Sequence, residues 1–372
     1  MNISLVGPVY PYRGGIAQHT TRLGLALASA GHDLQVLTFR NQYPGWLYPG
    51  RDDQDPSRSA VKIPAEAVLE AFAPKSWVSS AGKIIASQPD LVILQYWTPF
   101  WAPAFSFLTG RLRKQGIPVV FMVHNVLPHE RLPFDRLLAK LCLGRGNAFI
   151  THSLPEAERL KAVLGSQIKV SCLPHPLYDQ YSKQERKAAR KQLGYDPDEL
   201  LLLFFGLVRP YKGLDCLIEA LGKLKQSGAA PKLLAAGEFW QNPAAFYKQI
   251  HRLGLDELVR LDNRYMPDEE IPGLFSAADL FVAPYIDGTQ SGAVRLAMSF
   301  GLPILATEKA LCENERDYAP LKIVPGGDVA ALAEGIRSWP GGWSPIRPEQ
   351  PIFPNGWNEL VKELERLGSW LV

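Results

Sequence analysis

Short apolar runs alternate with helical patterns over nearly all of this 372-residue chain, and that rhythm limits the available folds more than any other feature. In the first half the runs at 3–6, 34–39, 91–94, 119–123, 148–151 and 170–173 read as strands, with helices at 16–30, 105–115 and 155–164 between them. In the second half, strands at 200–205, 232–236, 259–261, 280–283 and 304–307 alternate with helices at 214–227, 243–253, 267–277 and 292–300. Uninterrupted apolar strands imply burial on both faces, which parallel sheets covered by helices supply. Each series opens with a buried strand and a glycine-containing turn, so the expected fold class is α/β, with two doubly wound Rossmann-like domains facing a cleft. The expected domains are 1–175 and 176–355, joined near Pro174-His-Pro-Leu-Tyr before a charged helix at 183–193. The amphipathic segment 356–372, with Leu360, Val361, Leu364 and Leu367 on one side, either caps the second domain or crosses back to the first.

Composition excludes several classes. Apolar residues are 47% and charged residues 21%, which is ordinary for a globular chain and argues against disorder. A net charge of +3 is too mild for a nucleic-acid binder, so none is expected as a partner. Cys142, Cys172, Cys216 and Cys312 are scattered without paired spacing, giving no disulfide framework and no zinc site. The start, Met1-Asn-Ile-Ser-Leu-Val-Gly, reads as a strand rather than a signal peptide, and the expected location is the cytoplasm. The uncharged stretch 91–109 is long enough to span a bilayer, but Gln95, Pro99 and Pro103 make it a strand, a loop and a helix instead.

Two segments of the second half carry chemistry. In Phe-Phe-Gly-Leu-Val-Arg-Pro-Tyr-Lys-Gly at 204–213, a strand ends at Gly206, and Arg209 and Lys212 follow on the turn. At the carboxyl end of a parallel strand such a turn faces the crevice where these sheets bind ligands. A guanidinium fork and a mobile ammonium there suit phosphate oxygens. The second segment is Tyr-Ile-Asp-Gly-Thr-Gln-Ser-Gly-Ala-Val at 285–294, with a helix beginning near Ser291. The N–H groups of Gly292, Ala293 and Val294 are expected to be unpaired and to attract an anion, while Ser291 caps the helix. Together the two segments describe a diphosphate site.

The first half offers less. Gly14 and Gly15 join the first strand to the first helix and permit close backbone approach, without the spacing of a dinucleotide fingerprint. His124 and Asn125 stand at the end of the strand 119–123, where His124 is expected to reach the cleft and to hydrogen-bond a sugar or handle a proton. His129 reads as a surface residue, Glu130 as a lesser candidate, and His19 as packing. Trp97 and Trp101 follow another strand end, where they either join the core or meet a sugar or a lipid interface, with Arg111, Arg113 and Lys114 nearby.

With these residues in hand, the chain resembles the retaining GT-B-type glycosyltransferases of bacterial polysaccharide and glycolipid synthesis over nearly its full length. The likeness rests on Gly14-Gly15-Ile16, His124-Asn125-Val126, Phe205-Gly206 with Arg209 and Lys212-Gly213, and Ser276-Ala-Ala-Asp-Leu-Phe-Val-Ala-Pro. It continues through Ser291-Gly292 to Gly301-Leu-Pro-Ile-Leu-Ala-Thr and Pro325-Gly-Gly-Asp-Val-Ala-Ala-Leu-Ala. The resemblance implies that Arg209 and Lys212 hold a donor diphosphate with the N–H groups after Ser291. It also implies that Gly14 and Gly15 close over the phosphate, and that His124 lies near the transferred sugar. Asp287, Thr289, Gln290, Gly206 and Asn125 complete the implied donor site. Many members carry two glutamates eight positions apart; here those positions are Gly288 and Leu296, with Asp287 as a substitute for the first.

The expected function is therefore transfer of a hexose-type sugar from a nucleotide sugar to a saccharide or lipid-linked acceptor, with retention. No cofactor and no metal are expected, since fixed cations neutralise the departing diphosphate. A peripheral contact with the inner membrane is expected alongside the cytoplasmic location. The alternatives are a non-catalytic sugar-binding homologue of the same fold and a nucleotide-sugar epimerase.

Overall fold

The computed structural model describes residues 1–44, 52–128, 132–228, 230–288, 291–318, 320–339 and 356–371. In chain order the elements are β1 (Asn2–Val6), α1 (Gly15–Ser29), β2 (Asp33–Asn41), β3 (Glu66–Glu70), α2 (Pro74–Ala86), β4 (Leu91–Tyr96), α3 (Ala102–Arg113), β5 (Val119–Val123), α4 (Asp135–Leu143), β6 (Ala148–Thr151), α5 (Leu154–Leu164) and β7 (Val170–Cys172). There follow α6 (Arg186–Leu193), β8 (Leu201–Phe205), α7 (Leu214–Gln226), β9 (Lys232–Ala236), α8 (Ala244–Arg252), β10 (Val259–Asp262), α9 (Ile271–Ala277), β11 (Leu280–Ala283), α10 (Gly292–Ser299), β12 (Ile304–Thr307), β13 (Leu321–Val324), α11 (Val329–Arg337) and α12 (Gly356–Leu371).

The chain divides into two units, one of Met1–Pro56, Ala60–His175 and Asn355–Val372, the other of Ser57–Ser59 and Pro176–Pro354. Each holds one sheet, ordered β3-β2-β1-β4-β5-β6-β7 in the first and β10-β9-β8-β11-β12-β13 in the second. The named strands pair in parallel throughout. Both are therefore Rossmann-like α/β domains, as the alternation predicts.

In the first unit successive residues of β4 point to opposite faces: Val92 and Leu94 pack beneath α2, α3 and α4, while Leu91 and Ile93 pack beneath α1 and α12. Trp357, Leu360, Val361, Leu364 and Leu367 of α12 are all buried in that second layer, so the last helix belongs to the first unit's core. In the second unit Leu201 and Leu203 of β8 join α9 and α10, and Leu202 and Phe204 join α7, α8 and α11. The 91–109 stretch is β4, a short 3-10 turn over Pro99–Trp101 and most of α3. Among the described residues no helix is long and apolar enough to cross a membrane. Trp101 is fully buried among Phe39, Phe100 and Phe105, which makes it core rather than a sugar or lipid contact.

Candidate active site

The order of the second sheet reverses between β8 and β11, which are neighbours, so the turns leaving their carboxyl ends lie side by side. These turns are the two segments that the sequence marks. The turn after β8 depends on glycine. Gly206 has φ +109, and a Cβ at Gly237, with φ +149, would stand 2.0 Å from the Gly206 carbonyl oxygen. Gly213, at φ +67, passes so close to the loop after β11 that a Cβ there would lie 2.1 Å from the Pro284 carbonyl. No other residue fits that contact without moving the backbone. The Tyr211 carbonyl accepts from Ile286 N at 2.7 Å, and the Tyr211 and Tyr285 rings meet edge to face at 6.0 Å.

This clamp fixes Lys212. Its Nζ lies 3.2 Å from where a Cβ on Gly206 would be, and Ala293 Cβ of α10 lies 3.9 Å from the same point. Lys212 Nζ also sits 5.3 Å from the Tyr285 ring centroid. Burial holds the Lys212 ammonium below its ordinary pKa, and the Arg209 charge adds to that shift. Arg209 stands between two aromatic faces, 5.6 Å from the Tyr211 centroid and 5.4 Å from the Trp240 centroid. The two ring faces restrict where the guanidinium can go.

Helix α10 begins as expected at Ser291, whose Oγ accepts from Val294 N at 3.3 Å and pairs with Tyr285 Oη at 2.9 Å. The cap corrects one expectation. The Val294 N–H is occupied by Ser291, leaving Gly292 and Ala293 as the first-turn donors for which the helix has no acceptor. Tyr178, which carries no motif in the sequence, places its Oη 3.2 Å from the position of a Cβ on Gly292. Burial pushes its hydroxyl up to about 12, so it stays protonated as a donor. The same cause keeps Tyr285 at about 12. Tyr285 opens the segment that the sequence marks, whereas Tyr178 was not legible from spacing, because it arrives through a loop.

Asp287 is exposed and its Oδ1 accepts from Gly288 N at 2.8 Å. Thr289 and Gln290 lie outside the described residues. Gly288 has φ +141, and a Cβ there would fall 2.8 Å from the Lys309 carbonyl. A glutamate at this position is therefore incompatible with this loop. Leu296 is buried in the core beneath α10.

The remaining candidates belong to the first unit. Gly14 caps α1 with φ 102 and no side-chain bond, and open space surrounds it. Gly15 is exposed and Asn125 half-buried. His124 is buried, with Nε2 2.6 Å from Gln95 Oε1, so this nitrogen carries the proton and donates to the amide oxygen. It belongs to a cluster: its ring lies 4.7 Å from His19 and 5.4 Å from His152, and His175 stands 5.1 Å from His19. His152 Nδ1 donates to the Leu173 carbonyl at 3.0 Å, which makes its Nε2 the acceptor for His19 Nε2 at 3.1 Å. Burial first, then the neighbouring histidines, hold His19 and His124 well below the usual imidazole value. Both are neutral at neutral pH. Asp-x-Asp triplets occur at Asp53-Gln-Asp55 and Asp196-Pro-Asp198, but among the described residues no three His, Cys, Asp or Glu side chains are placed to hold a metal ion.

Comparison with known proteins agrees with this architecture. Residues 13–177 match the model of Glycosyltransferase Family 4, and residues 199–339 match that of Glycosyl transferases group 1. The chain belongs to the GT-B-type glycosyltransferases. D-inositol 3-phosphate glycosyltransferase 1 of Catenulispora acidiphila is 27% identical over 292 residues, 70% of each chain. Among solved structures, sucrose-phosphate synthase from Thermosynechococcus elongatus has a TM-score of 0.68 at 18% identity, covering 100% of this chain and 97% of its own. Anabaena HepE in complex with UDP-glucose has a TM-score of 0.69 at 18% identity, covering 100% and 98%.

Proposed function

We propose that this glycosyltransferase moves a sugar from a nucleoside-diphosphate donor to a saccharide or lipid-linked acceptor, with retention of anomeric configuration. The observation that carries the reading is the convergence of Lys212 Nζ, Gly206 and Ala293 at the reversal of the second sheet. An ammonium, a guanidinium flanked by aromatic rings and unsatisfied first-turn amides on adjoining turns suit a diphosphate and little else of comparable size. The UDP-glucose held by the HepE structure supports the donor class.

Charge grows on the diphosphate as the sugar leaves. Groups already fixed toward that charge stabilise the transition state without reorganising. Lys212 enters with its ammonium destabilised by burial, so an arriving phosphate oxygen raises its pKa and holds the proton in place. The Tyr178 hydroxyl adds a neutral donor beside Gly292. With fixed cations in these positions the reaction needs no metal, and chelators should leave it unchanged. His124 is the first unit's candidate for a role toward the transferred sugar, and Gln95 sets its tautomer.

A second reading, a non-catalytic homologue that binds nucleotide sugars, draws on Gly288 and Leu296, where no carboxylate is available. One experiment separates the two. Calorimetry identifies the nucleoside diphosphate that binds, and incubation of its sugar with acceptor preparations, followed by NMR of the anomeric centre, reads turnover and stereochemistry. An inverted product removes retention. Tight binding with neither transfer nor donor hydrolysis establishes the non-catalytic homologue, and failure of every nucleoside diphosphate to bind overturns both.

A further inference from the structure

Helix α4 is apolar on both sides. Ala139, Cys142 and Leu143 face the sheet and are buried, as an amphipathic helix requires. The opposite side should be polar, yet Leu137 and Leu141, one helical turn apart, are 59% and 54% exposed. Leu132 and Phe134, in the turn leading into the helix, are 62% and 60% exposed. Scattered surface leucines need no explanation, but here four large exposed apolar side chains fall within ten residues.

Cations stand on α4 and on the elements packed beside it. Arg136 and Lys140 stand on α4 itself beside the two leucines. Helix α3 packs against α4, and at its end Arg111, Arg113 and Lys114 line a cavity of about 540 Å³ together with Arg145, from the turn after α4. The Arg145 guanidinium is oriented into place by the Ser106 carbonyl, which accepts from Nη1 at 2.9 Å. On the other flank Arg136 and Arg159 border a second cavity of about 320 Å³. Among the described residues, two carboxylates beside these apolar side chains, on α4 and α5, are turned inward. Asp135 is buried and accepts from Leu132 N at 2.8 Å, and Glu156 is buried beneath Val126 N and Arg159.

We propose that this face of the first unit docks on an anionic phospholipid bilayer, with Leu132, Phe134, Leu137 and Leu141 entering the interface. The cations of the α3 end and of α4 would sit at the level of the headgroup phosphates. Exposed apolar side chains accompanied by cations on the same and the adjoining helix, with Asp135 and Glu156 buried, match such a surface in both hydrophobicity and charge. A protein partner of the same outline would have to answer every cation with a carboxylate, and would be released rather than recruited by vesicles. This surface replaces Trp97 and Trp101 as the candidate lipid contact, since Trp101 is core and the Trp97 indole donates to Tyr43 Oη at 2.6 Å.

The test is co-sedimentation of the full chain with vesicles of phosphatidylcholine alone or of phosphatidylcholine with phosphatidylglycerol, at low and high salt. Binding is expected only to the anionic vesicles and should weaken with salt. Leu137→Glu/Leu141→Glu should lower the partition coefficient by at least roughly tenfold, by losing apolar insertion and adding charge repulsion. Both residues are solvent-facing, and an unchanged circular dichroism spectrum and melting temperature verify the fold. Arg113→Glu/Lys114→Glu, which leaves the leucines intact, should lose binding at low salt. Equal sedimentation with neutral and anionic vesicles, unchanged binding by either variant, or a solution dimer that the leucine variant dissolves in place of vesicle binding would each overturn the assignment.

Discussion

At the scale of single residues, Lys212 and the histidine cluster show how burial sets chemistry. Lys212 is held by the Gly213 clamp against the start of α10, so its ammonium has few alternative positions. Lys212→Ala should weaken nucleoside diphosphate binding by about 1.5–3 kcal/mol, the loss expected of a charged hydrogen bond. Isothermal calorimetry reads this directly, and an unaltered affinity would remove Lys212 from the site. The histidines make a prediction about pH. His19 and His124 are neutral in the fold, with pKa values depressed below 6.5, whereas the unfolded chain takes up protons near 6.5. Below that pH the unfolded state binds more protons, so stability present above it is lost as pH falls, by at most about 1.4 kcal/mol per pH unit for each group. Urea midpoints measured from roughly pH 7.5 to 5.5 should fall, and His19→Gln should flatten the fall. A midpoint independent of pH over that range counts against the cluster being neutral.

At the scale of elements, the strands that carry the site were legible and several that do not were missed. The long apolar runs of β4, β5 and β8 announce themselves because they are buried on both faces. The edge strand β3, Glu-Ala-Val-Leu-Glu, presents only two buried residues and has no such signature. Helix α2 is rich in serine, and α4 follows a Pro-containing loop, so neither shows a clean 3.6-residue pattern. The loop between β11 and α10 shows a different limit. Its sequence reveals that glutamate is missing at Gly288, but only the backbone explains why: φ +141 and the Lys309 carbonyl exclude a side chain. Gly288→Glu should therefore cost roughly 1–3 kcal/mol in stability rather than restore a family contact. Chemical denaturation decides this, and a neutral or stabilising result would show that the loop can re-form around the carboxylate.

At the scale of the molecule, the last helix is part of the first unit's core although some 180 residues of the second unit separate it from β7 in the chain. Leu364 is fully buried against the layer that holds Leu5, Leu23 and Ile93. Leu364→Ala should destabilise the first unit by about 2–5 kcal/mol through the cavity it leaves. Differential scanning calorimetry should show the first unit's transition moving down, and an unmoved thermogram would mean that α12 contributes nothing to that core.

By itself the amino-acid order determined where the long apolar strands and the helices flanking them fall, the glycine turn at Gly206, the cap at Ser291 and the kinship of the chain, because these depend on neighbours within a few residues. Only the tertiary structure brought Lys212 to α10, gathered His19, His124, His152 and His175 into one core, placed Tyr178 beside Gly292 and turned Leu137 and Leu141 outward. The physical reason is that periodicity encodes which face of an element is apolar, whereas the partner of that face, and the side chains that meet at a strand end, follow from sheet order and crossover connections that no local pattern contains.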